Sequence, residues 1–117
     1  MKLDKYTVGR RYGKALFELA IDSNQAEEIY QDLVSLRQIY EQVPGLGNML
    51  SDVRLEPHEK REIMDKLVSG YDGIVKNFLE VVYEYNRMDD LLFMIEEYER
   101  RYDEHQGLLL GSVTTAV

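Results

Sequence analysis

The stretch DKYTVGRRYGKALFELAID, residues 4–22, decides the fold. Val8, Tyr12, Ala15 and Leu19 recur at spacings of four, three and four, the signature of one helix face. At about 100° per residue, Gly9, Gly13, Leu16, Phe17, Ala20 and Ile21 widen that face to an apolar or small arc of about 240°. Arg11, Lys14, Glu18 and Asp22 keep the remaining strip, with Arg10 at the margin. A surface helix needs only about 100° of apolar arc, so this one requires two contacts. Each glycine costs a helix interior about 1 kcal/mol against alanine. Four residues apart, Gly9 and Gly13 share a face, and that spacing predicts close packing on another helix of the same domain.

The pattern continues outward from there. Ser23-Asn24 opens a second helix, with Asn24 and Glu27 at the spacing of a capping box. Ile29, Leu33, Leu36, Tyr40 and Val43 form its one-sided stripe, and Val43-Pro44-Gly45 ends it. Leu46–Leu50 reads as one or two turns of helix. Pro57 suits a first helical position, with Glu59 in the first turn and Ile63, Met64, Leu67 and Val68 as the buried face. Ser69-Gly70 closes that helix. Asp72 is placed to cap the next, Gly73–Asn86, where Ile74, Phe78, Val81 and Tyr85 form one stripe and Val75, Leu79 and Val82 widen it. Asn86 tolerates the left-handed conformation that ends a helix. A last helix runs from Asp89 to Gln106, with Leu91, Ile95, Tyr98 and Tyr102 on one side and Glu96, Glu97, Arg100, Asp103 and Glu104 over the other. Gly107 reads as its cap. The tail contains Val113, Thr114, Thr115 and Val117, which favour strand, and nothing else in the chain is suited to pair with it. The expected fold is all-α: a compact bundle of five to six helices over residues 1–106, with a short C-terminal strand-like tail over 107–117.

Composition narrows the chemistry. The 117 residues suit one domain, with 44% hydrophobic and 31% charged residues. Fourteen Lys and Arg against 22 Asp and Glu leave a net charge of −8, unsuited to neutralising nucleic-acid phosphates. Cysteine is absent, which excludes disulfides, thiolate zinc sites and cysteine nucleophiles. No run of about 18 apolar residues exists to span a bilayer, and the first ten residues lack the apolar core of a secretory signal. These features point to a cytosolic protein without direct membrane insertion. His58 and His105 fall among charged residues and read as solvent-exposed. Neither forms the Glu-x-x-His pair of a carboxylate-bridged metal site, since Leu55 and Tyr102 occupy the preceding positions. Gly45-Leu46-Gly47 lacks the Lys-Ser/Thr ending of a phosphate loop. No catalytic, cofactor or metal residue is assigned. A small helical enzyme remains the weaker alternative; it requires buried Arg or Lys converging on a pocket, whereas Arg10, Arg11, Arg37 and Arg87 are expected to be largely exposed.

Two features point to binding instead. Residues 1–22 carry a net charge of +2, leaving −10 on the other 95. A basic first helix on an acidic body steers an acidic partner segment, or is simply a solvated face. The first helix and the Gly73–Asn86 helix also carry more apolar arc than a small bundle absorbs. Core packing is one use for it. Side by side, however, the two helices would form a hydrophobic groove suited to an amphipathic helix. Val8, Tyr12, Ala15 and Leu19 would line one wall, and Phe78, Val81 and Tyr85 the other.

Arg11-Tyr12-Gly13-Lys14-Ala15-Leu16-Phe17-Glu18-Leu19-Ala20 closely resembles the opening helix of the delta subunits of rotary ATP synthases, a family that includes the mitochondrial oligomycin-sensitivity-conferral protein. Val75-Lys76-Asn77-Phe78-Leu79, then Asn86-Arg87-Met88 and Leu91, is similar to the family's fifth and sixth helices, and Pro57-x-x-Lys60 before Ile63 to the start of its fourth. The match covers about residues 5–106. The resemblance implies a six-helix N-terminal domain on the catalytic head. Its groove between the first and fifth helices holds the N-terminal helix of an alpha subunit, and Tyr12, Ala15 and Val81 match groove positions. It implies a non-catalytic stator subunit without cofactors, peripheral on the cytoplasmic face of a bacterial membrane. The family's second domain opens in a strand and binds the b subunits of the peripheral stalk. Residues 107–117 would then be the start of a C-terminal domain that this chain lacks. A helical adaptor using the same groove for an unrelated amphipathic helix is the alternative.

Overall fold

A computed structural model describes residues 4–110, with side chains through Gly107. The described residues form six α-helices and one 3-10 turn, with no strand among them: α1 (Lys5–Asp22), α2 (Ala26–Gln42), α3 (Leu46–Leu50), α4 (Pro57–Val68), α5 (Gly73–Glu84), the 3-10 turn Met88–Asp90, and α6 (Leu91–Leu110). Val113, Thr114, Thr115 and Val117, expected to favour strand, lie outside the described residues.

Local chemistry sets most boundaries. Asp4 caps α1, its Oδ1 accepting the Thr7 N–H at 2.8 Å. Pro57 opens α4, and Glu59 Oε1 accepts the N–H of Glu56 at 3.3 Å. Asn86 takes φ 59°, and the N–H groups of Asn86 and Arg87 donate to the carbonyls of Tyr83 and Val82, both at 2.9 Å. This is a Schellman cap at the end of α5.

The α1–α2 junction departs from expectation. Asn24 does not cap α2. It takes φ 58° and closes α1, donating to Ile21 O at 3.1 Å while Gln25 N–H donates to Ala20 O at 2.9 Å. The same Schellman geometry ends both helices. A residue held left-handed there cannot also hold the extended backbone of an N-cap, so α2 starts two residues later without a side-chain cap. Gly107 does not stop α6 either, which continues to Leu110. One glycine costs a helix only about 1 kcal/mol, so the helix runs on past residue 106. Val43, expected on the buried stripe of α2, is exposed.

The core joins all six helices: Val8, Leu16 and Ala20 from α1, Ile29, Leu33 and Leu36 from α2, Leu46 and Leu50 from α3, Met64, Leu67 and Val68 from α4, Val75, Leu79 and Val82 from α5, and Leu91, Met94, Ile95, Tyr98 and Tyr102 from α6. Tyr98 is fully buried, and its hydroxyl donates to Ala26 O at 2.6 Å, tying α6 to the first turn of α2. Tyr40 Oη donates to Met88 O at 2.8 Å and holds the 3-10 turn in place. Burial holds both phenol pKa values well above the ordinary tyrosine range.

The predicted glycine face lies against α6. A Cβ on Gly9 would sit 2.6 Å from the Cβ of Phe93, and one on Gly13 would sit 2.7 Å from Met94 O. Glu97 corrects the expectation that it lies on the solvent side. It is buried, with Oε2 accepting Arg100 Nη2 at 2.6 Å and Arg101 Nε at 2.5 Å. Burial pushes its pKa up, but the two guanidiniums outweigh that and hold it below the usual glutamate value.

Candidate functional site: an apolar groove between α1 and α5

With one side of α1 committed to α6, its other side turns toward α5. The two helices touch at few points, so a trough of about 520 Å³ stays open between them. From α1 it is lined by Arg11, Tyr12, Ala15, Leu16 and Leu19; from α5 by Ile74, Asn77, Phe78 and Val81, with Tyr85 at the helix end. The two contacts that the wide arc of α1 demands are therefore α6 on one side and this trough on the other.

The exposure of the lining is what distinguishes the trough from core. Leu19 is 48% exposed, Val81 43% and Tyr85 66%. By contrast Val75, Leu79 and Val82, one residue along on α5, are buried. The helix thus divides its apolar circumference between the core and the groove. A contiguous apolar surface on a small domain marks an interaction site more often than chance exposure.

Of the seven residues expected to line this groove, the structure brings six together: Tyr12, Ala15, Leu19, Phe78, Val81 and Tyr85. Val8 is not among them. It is 1% exposed and belongs to the core cluster with Met88, at the end of α1 that meets the 3-10 turn. Its azimuth on the helix matches the groove residues, but here a neighbouring element already covers it. Arg11, Leu16, Ile74 and Asn77 line the trough without having been assigned to it. Ile74 was legible, since it shares the stripe of Phe78, Val81 and Tyr85.

The groove has no pairing of acid and base suited to bond chemistry. His58 is exposed on α4, while His105 on α6 is half-buried, against expectation, packing edge-to-face on Phe17 at 5.9 Å between centroids. Arg10 and Arg11 are exposed as expected. Arg37 and Arg87 are instead half-buried, Arg37 paired with Glu99 and Arg87 with Asp90 at 3.8 Å. These pairs face different neighbours and do not converge on one pocket. Among the described residues, no group of three or more His, Asp or Glu side chains is arranged to hold a metal ion, and no helix is long and apolar enough to cross a membrane.

Residues 8–117 match the family model described as ATP synthase delta (OSCP) subunit. The chain belongs to that family. It is 83% identical over its whole length to ATP synthase subunit delta of Enterococcus hirae, 72% to that of Enterococcus faecalis and 39% to that of Latilactobacillus sakei. In each case the chain spans 65% of the relative's length. The motif residues Tyr12, Ala15 and Phe78 line the groove, while Gly13 and Leu79 are buried behind it.

Proposed function

We infer that this chain is a non-catalytic stator element of the rotary ATP synthase, and that its α1–α5 groove binds the N-terminal helix of an alpha subunit. The observation that carries this reading is the open apolar trough with Leu19, Val81 and Tyr85 exposed along it. From Arg11 to Leu19 the α1 wall rises about 12 Å, and from Ile74 to Tyr85 the α5 wall rises about 16 Å, at 1.5 Å per residue. That length seats about three turns of a partner helix, enough for anchors at i, i+3 or i+4, and i+7. Holding an alpha subunit in this way couples the non-rotating head to the peripheral stalk, on the cytoplasmic face of the membrane. Contact with the b subunits falls, by the family resemblance, to the second domain of the full-length protein and not to this groove.

The test is calorimetric titration with a synthetic alpha-subunit N-terminal peptide of about 20 residues, or about 30 Å of helix, beside the Val81→Asp variant. One-to-one binding, lost in a variant that keeps its circular dichroism, supports the reading. A folded wild type that ignores this peptide yet binds an unrelated amphipathic helix in the same groove would point to the adaptor alternative.

A further inference from the structure

The groove's walls are apolar, but its edges are not. Arg11 is the one charged residue lining it, and this exposed guanidinium makes no ion pair or hydrogen bond within the described residues. On the opposite edge, Glu84 follows Asn77 by seven residues and Val81 by three. It therefore stands on the outer side of α5, two turns from Asn77, exposed and, among the described residues, without an ion pair or hydrogen bond. The chain pairs many of its other arginines: Arg37, Arg54, Arg61, Arg87, Arg100 and Arg101 all meet carboxylates. Arg11 and Glu84 are held on separate helices, one on each side of an open apolar trough.

We propose that Arg11 and Glu84 fix the direction in which the seated helix lies, Arg11 by pairing with a carboxylate on one flank of that helix and Glu84 by pairing with a cation on the other. The inference rests on the groove reading above and adds the chemistry of the occupant: an amphipathic helix whose apolar stripe is bordered by acid on one side and base on the other. Glu18, seven residues after Arg11 and also exposed, follows it along the α1 edge, so the discrimination is local: a helix laid in the reverse direction would set its basic flank against Arg11 and its acidic flank against Glu84, and such juxtapositions are disfavoured. Apolar burial supplies affinity, and the two edges supply orientation.

The experiment titrates the alpha-subunit N-terminal peptide, at low and high salt, into wild type, Arg11→Gln, Glu84→Gln and Val81→Asp. A matching peptide set replaces each carboxylate by its amide. The expected result is that Arg11→Gln weakens binding about two- to five-fold at low salt, as an exposed ion pair does. That loss shrinks at high salt and vanishes against one particular amide peptide. A spin label on one peptide terminus should broaden one end of the groove in wild type and the opposite end in the Arg11→Glu/Glu84→Lys variant. If Val81→Asp abolishes binding while Arg11→Gln and Glu84→Gln leave affinity and label pattern unchanged, the proposal is overturned and the groove reading stands. If folded wild type does not bind the peptide at all, both are overturned.

Discussion

Gly13 of α1 and Glu97 of α6 meet so closely that a Cβ on the glycine would lie 2.7 Å from the glutamate's Cβ. The contact that fixes α1 against α6 thus puts a bare backbone over a buried carboxylate, and Arg100 and Arg101 neutralise that carboxylate from its own helix. Tight packing there leaves the opposite side of α1 free to form the groove.

Gly13→Ala should destabilise the protein despite alanine's better helix propensity, because the backbone oxygen of Met94 also stands 2.7 Å from the new atom. Overpacking of this kind costs about 1–3 kcal/mol. The midpoint of thermal unfolding should fall by about 4 °C for each kcal/mol. An unchanged midpoint would show that the helices separate at no cost.

Neighbouring residues of α5 should respond in opposite ways. Leu79 is fully buried, and Leu79→Ala should cost about 2–5 kcal/mol of stability through transfer and cavity terms. Val81 is 43% exposed, and Val81→Asp should leave stability within about 0.5 kcal/mol while abolishing groove binding. Urea denaturation and peptide titration of both variants separate the two roles.

Acid should unfold the protein partly through Glu97. Its folded-state pKa is depressed, so its contribution is fully present above the ordinary glutamate range and is lost as pH falls through that range toward the lower folded value. Glu80 behaves alike, held down mainly by its hydrogen bonds from Arg61 at 2.9 and 2.7 Å. Glu97→Gln should therefore flatten the acid limb of stability against pH and lower the neutral plateau. A parallel curve displaced uniformly downward would contradict this account.

Tyr98→Phe removes the hydroxyl that donates to Ala26 O. The loss should be about 0.5–1.5 kcal/mol by chemical denaturation, the net worth of such a bond. Hydrogen exchange should quicken first in the opening turn of α2.

Helix count, the double-sided character of α1 and the division of α5 were legible in the sequence, because spacing on a helix maps directly to azimuth. Pro57, Asn86 and the glycine pair also act through local backbone geometry, which neighbours in the chain reveal. Asn24 was misread because the same residue type serves a helix start or a left-handed helix end, and only the reversal between α1 and α2 selects the latter. Tertiary structure alone decided which apolar residues stay uncovered. Val8 and Leu19 lie on one stripe, yet one is 1% and the other 48% exposed. Azimuth says which side of a helix a residue occupies; what lies against that side depends on where the 3-10 turn and α5 are held, and contacts remote in sequence set that position.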